Sequence, residues 1–91
     1  MYVLVWTPRF TRAAKKFIKC HAELRMKFTD TLRDLADDPS KAHLKYHHLA
    51  GKLKGSQAVS ITDKYRITLT LVISEKEIIL LDIGSHDEVY R

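Results

Sequence analysis

Residues 41–55 hold four lysines (Lys41, Lys45, Lys52 and Lys54) and three histidines (His43, His47 and His48) around Tyr46, with no acidic residue among them. Four cations without a nearby counter-charge make a field suited to phosphates, and aromatic and imidazole rings can stack on unpaired bases. The stretch therefore reads as a nucleic-acid contact. The plainer alternative is a solvated basic loop. His43 and His47 stand four apart, a ligand spacing on a helix. The surrounding Ala-Gly-Lys-Leu-Lys-Gly is poorly helical, however, and the chain has neither a cysteine pair nor a His-Glu-x-x-His pattern, so neither a metal nor another cofactor is expected.

Three further groups can act on an anion. Arg66 lies within a run that alternates Tyr65, Ile67, Leu69 and Leu71 with Arg66, Thr68 and Thr70, so a strand there turns Arg66 away from the apolar face. On an open face its guanidinium supplies fixed donors to a phosphate at any working pH; otherwise it is a surface arginine. His86 and Tyr90 follow the last apolar run, where a strand can deliver them to a ligand, although a His-Asp pair also caps turns. Cys20 has no activating neighbour and reads as a small packing residue, and His21 as a hinge or core-edge residue.

The elements that must position these groups are visible in the pattern. Tyr-Val-Leu-Val-Trp at 2–6 is a strand signature, and Thr7-Pro8 ends it and starts a helix. Phe10, Ala13, Ala14, Phe17 and Ile18 fall on one helical face. Leu24, Phe28, Leu32 and Leu35 continue the stripe as far as Pro39. One helix over 8–37 would be about 45 Å long, too long for a domain of this size, so a break near 20–23 is expected. Residues 40–56 read as a surface connection ending in a short extended piece, and 57–62, 65–72 and 77–83 as an antiparallel meander whose last strand is interior. The expected class is α+β in the order β-α-α-β-β-β, a helical hairpin on a small, mainly antiparallel sheet, forming one domain over residues 1–91.

The net charge of +5 is polarised: residues 1–56 carry twelve basic and five acidic side chains, residues 57–91 four and six. An anionic partner is favoured. A single cysteine forms no internal disulfide, which suits a reducing compartment, the cytoplasm. No apolar run approaches the ~18 to 20 residues of a membrane span, and the N-terminal run lacks the features of an export signal.

Together, this element order, the string His47-His48-Leu49-Ala50-Gly51-Lys52-Leu53-Lys54-Gly55, the pair Tyr65-Arg66 and the ending Gly84-Ser85-His86-Asp87-Glu88-Val89-Tyr90 resemble the RelE/ParE superfamily of type II toxin–antitoxin toxins, in its RelE/YafQ-like branch. The resemblance implies a ribosome-dependent, metal-independent endoribonuclease that cuts mRNA in the aminoacyl site and is held inactive by a cognate antitoxin protein. Carried over residue by residue, it makes His47, Arg66, His86 and Tyr90 the catalytic set. It also places Lys52 and Lys54 in the stretch that approaches RNA, and the charge pattern of residues 41–55 adds Lys41 and Lys45 to the expected RNA contact. Many active members have a further basic residue in the strand before Arg66, where this chain has Ser60. That departure keeps two alternatives open: a ParE-like DNA gyrase inhibitor without nuclease activity, and an inactive RNA-binding domain.

Overall fold

A computed structural model of the chain describes residues 1–85, so His86 and Tyr90 lie outside the described residues. The elements are β1 (Val3–Trp6), α1 (Pro8–Cys20), α2 (Arg25–Asp37), β2 (His47–His48), β3 (Gln57–Ser60), β4 (Tyr65–Val72) and β5 (Glu77–Ser85). They form a five-stranded sheet in the order β1-β5-β4-β3-β2. β1 runs parallel to β5 and the remaining pairs are antiparallel.

Local chemistry fixes the helix ends. Thr7 caps α1 by accepting the Phe10 N–H at 3.1 Å, and its hydroxyl donates to the Leu80 carbonyl at 2.7 Å, tying the cap to β5. Phe10, Ala14 and Phe17 form the buried face of α1, and Phe28, Thr31, Leu32 and Leu35 that of α2, at three-and-four spacing. The break falls where the sequence places it. His21 caps α1 with non-helical backbone (φ −134°, ψ 58°), a 3₁₀ turn spans Ala22–Leu24, and α2 follows. The longest dimension is 35 Å, which a single 8–37 helix would exceed. His21 packs its ring on Phe17 and Tyr65 at the core edge, whereas Cys20 is exposed and not the packing residue expected. It sits in the last turn of α1.

The ladder of β4 and β5 sets the core. Ile67 and Leu69 share a face with Val59 of β3, and with Ile78, Leu80, Ile83 and the helix residues they form the apolar cluster. The register runs Thr68↔Asp82 and then Leu69↔Leu80, leaving Leu81 unmatched. This bulge moves the core-facing positions of β5 from Ile78 and Leu80 to Ile83. β5 lies inside the sheet, as its doubly apolar run requires.

The connector departs from the expectation of a plain surface segment. After α2, Asp38 accepts both the Ser40 hydroxyl at 2.6 Å and the Ser40 N–H at 2.9 Å, which holds its carboxyl below the usual range and fixes the turn through Pro39. Leu44, in a 3₁₀ turn, is fully buried. His47 and His48 then form a short edge strand on β3, giving four strands after the helices where three are expected. One apolar residue among polar neighbours has no period and so escapes pattern reading. Leu44→Ala is expected to cost about 2–5 kcal/mol by urea denaturation, the range for truncating a buried leucine.

Candidate functional site

The connector is held to α2 by charge. Lys41 Nζ lies 2.9 Å from Asp37 Oδ2 and 3.1 Å from Asp34 Oδ1, and His43 Nε2 lies 2.8 Å from Asp34 Oδ2. Hydrogen bonds from His43, then from Lys41, hold the Asp34 carboxyl below its ordinary value. Asp37 and Asp34 in turn raise the Lys41 ammonium above its own. Lys45 then turns the chain with left-handed backbone (φ 52°, ψ 44°), and its carbonyl accepts the His47 Nδ1–H at 2.9 Å. That bond selects the tautomer with the lone pair on Nε2.

Register decides which side chains share a face. His47 pairs with Ala58, Ala58 with Thr68, Ser60 with Arg66, and Arg66 with Gly84. Directly paired residues, and residues two apart on one strand, point the same way. His47, Ser60, Arg66 and Thr68 therefore share the face opposite the helices. A strand spacing of ~4.8 Å and a rise of ~3.4 Å put the His47 and Arg66 Cα atoms about 12 Å apart, a gap suited to two side chains closing on a ligand between them.

This face is not open across its centre. Ala58, Ser60 and Thr68 are buried, and Arg66 is half-buried at its rim. One terminal nitrogen of Arg66 donates to the Asp63 carbonyl at 3.2 Å, which orients the guanidinium. Arg66 Nε and Thr68 Oγ1 are buried without a hydrogen-bond partner among the described residues. Unmet donors of this kind are uncommon in folded proteins and suit an anion acceptor.

A cleft of about 590 Å³ lies at the sheet edge on the side that the helices cover, between α2, the connector and the β3–β4 turn, and neither His47 nor Arg66 lines it. Lys27, Asp34, His43, Lys45, Ser60 and Asp63 contribute to its walls. Three of them connect directly to the sheet-face groups: Lys45 bonds His47, Asp63 bonds Arg66, and Ser60 is the register partner of Arg66.

The four connector lysines separate into two kinds. Lys41 is committed to Asp34 and Asp37, and Lys45 lies 3.5 Å from Asp63. The counter-charges that the connector lacks in sequence thus reach it from α2 and the β3–β4 turn. Lys52 and Lys54 are exposed and make no ion pair among the described residues. Asp34, Asp37 and Asp63 were not apparent as partners from sequence, although Asp34 and Asp37 stand one turn apart just before the basic stretch. Among the described residues no group of three metal-ligating side chains is found, and no helix is long and apolar enough to cross a membrane.

No protein-family model and no curated protein matches the sequence. Solved structures do match. YafQ from E. coli is similar over 100% of both chains at 17% identity, with a TM-score of 0.82. A YoeB/ParE toxin from Agrobacterium tumefaciens is similar over 92% of this chain and 98% of its own at 21% identity, TM-score 0.76. A YoeB–YefM complex from Staphylococcus aureus matches over 94% of this chain and 98% of that chain at 16% identity, TM-score 0.72. The chain has the fold of these toxins. The α+β class and the RelE-like arrangement expected from sequence are thereby borne out, with β2 added at the sheet edge.

The Asp34 clasp has a pH signature. Because its folded carboxyl titrates below the ordinary value of 3.8, its stabilisation is present above that value and is lost as pH falls through the folded one. The raised Lys41 ammonium contributes below its ordinary 10.5 and is lost as pH rises through the higher folded value. Thermal unfolding of Asp34→Asn is expected to show a lower Tm than the parent at pH 7, with the difference closing as pH is taken below about 4.

Proposed function

We propose that this protein is the toxin of a type II toxin–antitoxin system, acting as a RelE/YafQ-like, ribosome-dependent and metal-independent endoribonuclease on mRNA. The observation that carries this reading is the shared sheet face of His47 and Arg66, in a fold similar to YafQ over its full length. The substrate's own 2′-hydroxyl is the nucleophile. The reaction needs a proton acceptor, cationic donors for the charge that develops at phosphorus, and a proton donor for the departing 5′-oxygen. Arg66 is the charge-stabilising group, oriented by the Asp63 carbonyl. His47, His86 and Tyr90 are the proton-transfer candidates, and Tyr90 alternatively stacks on a splayed base. Lys52 and Lys54 carry the RNA contact, because Lys41 and Lys45 already face carboxylates.

The proposed partners are the ribosome with its mRNA and a cognate antitoxin protein; the structure of YoeB with YefM is the precedent for such a complex in this fold. The proposed site of action is the cytoplasm.

Ser60 favours a second reading. At the position beside Arg66 it offers a hydroxyl and no proton-transfer group, as suits a ParE-like gyrase inhibitor. A supercoiling assay run beside toeprinting of a translated message separates the two.

On translating ribosomes, Arg66→Ala and His86→Ala are each expected to lose cleavage by ~10² to 10⁴-fold while keeping the parent circular dichroism spectrum. Cleavage at the parent rate in both would defeat the nuclease reading. RNA binding is expected to weaken steeply with salt. Removing Lys52 and Lys54 together should lower the slope of log K against log salt by about 1.4, at ~0.7 per lost phosphate contact on a single strand.

A further inference from the structure

We infer that the outward face of α1 is a second RNA-docking surface, which takes the phosphate backbone of duplex RNA on the side of the molecule opposite His47 and Arg66. The inference goes beyond the nuclease reading above and rests on it only for RNA as the polyanion. α1 holds Arg9, Arg12, Lys15, Lys16 and Lys19, all exposed, and no acidic residue. Outside this helix the chain has eleven basic and eleven acidic side chains, so α1 carries the whole net charge of +5. Arg9 lies 2.9 Å from Asp82, and the other four make no ion pair among the described residues.

Helix stability does not account for this pattern. At 3.6 residues per turn the five cations fall in an arc of about 120°, opposite the Phe10, Ala14 and Phe17 face. Neighbours three or four apart along the arc are therefore like-charged, and Arg9 and Arg12 crowd the positive end of the helix dipole, whose first turn has no acidic residue. α2, the other arm of the hairpin, balances three basic side chains with three acidic ones and sets Arg33 3.6 Å from Asp30. Either pattern solvates a helix face. Only that of α1 repels itself until a polyanion neutralises it.

The make-up of the face selects among polyanions. Beyond Pro8 at the helix start the arc holds no apolar and no aromatic side chain. It lacks the apolar anchors on which protein partners dock, at interfaces where lysine is depleted, and the rings on which unpaired bases stack. The apolar side of α1 is committed to the core and has nothing to insert into a lipid surface. What remains is the backbone of a duplex, recognised by charge and shape. The arc points away from the sheet, and the molecule measures 26 Å along its shortest axis, so this RNA is not the strand at Arg66. A Debye length of about 8 Å at physiological ionic strength confines the field of α1 to whatever touches it.

The test is fluorescence anisotropy with a blunt, mixed-sequence duplex RNA over a range of salt. It compares the parent with Arg12→Gln/Lys15→Gln/Lys16→Gln/Lys19→Gln and with a charge-matched control, Arg25→Gln/Lys27→Gln/Lys64→Gln/Lys76→Gln, each with its fold checked by circular dichroism. The slope of log K against log salt is expected to fall by about 3.6 in the α1 variant, at ~0.9 per phosphate contact as on duplex DNA, and to stay parental in the control. The double variants Arg12→Gln/Lys16→Gln and Lys15→Gln/Lys19→Gln should each give about half that fall, which keeps the test decisive if the fourfold variant does not fold. Parental binding by the α1 variants overturns the inference, and so does an equal loss in the control, which would reduce the effect to net charge. Tighter binding of the parent to poly-L-glutamate or to phosphatidylserine vesicles than to the duplex, lost in the α1 variant, also overturns it and assigns the face to an acidic protein or a membrane. The expected binding in a protein that cuts no mRNA on ribosomes leaves this inference standing and overturns the nuclease reading alone.

Discussion

The pairing of β4 with β5 is the constraint from which the other placements follow. It buries Ile67, Leu69, Ile78 and Leu80 against the helices, and the same alternation commits Arg66 and Thr68 to the opposite side. A one-residue slip would exchange the two sets, placing a guanidinium in the core and isoleucine at the site. Burial of each large aliphatic side chain contributes about 1.5–3 kcal/mol, so several acting together fix the register firmly. The unmatched Leu81 accommodates the one irregularity, letting Ile83 rejoin the core after Asp82, which pairs with Arg9 at the surface.

The cleft beside the sheet has a wall that the sheet does not build. Residues 38–56 are short of regular structure, yet they are pinned by Leu44 from below and by the Asp34 and Asp37 carboxylates from the side. The buried leucine contributes most of the holding free energy, because charges exposed to water are screened. The carboxylates contribute direction. They set where the lysine and imidazole of the connector stand relative to α2, and therefore the shape of the cleft.

Much of the architecture was legible in the sequence because it rests on period. The two helices, their break and the alternation of β4 follow from the spacing of Phe10, Phe17, Phe28, Leu32, Ile67 and Leu69. Features that rest on single residues or on distant partners were not legible. Leu44 is one apolar residue in a polar stretch, and β2 is two residues long. The basic segment looked uncompensated because Asp34, Asp37 and Asp63 come from other parts of the chain, and only the fold brings them to Lys41 and Lys45. For the candidate site, Arg66 and His47 were visible by type, and their common face follows once β2 is seen to pair with β3. The cleft that His43 lines between α2 and the β3–β4 turn has no signature in one dimension.

Lys45 joins these halves through its backbone. It stands between His43 and His47 in the left-handed region, where a side chain with a Cβ is strained and a β-branched one is an outlier. The aim of both rings thus depends on the left-handed backbone conformation of one residue, independently of the amine that it carries. Natural drift at position 45 should accordingly run toward glycine or asparagine and avoid valine, isoleucine and threonine, tracing a backbone requirement where a charge requirement would first be assumed.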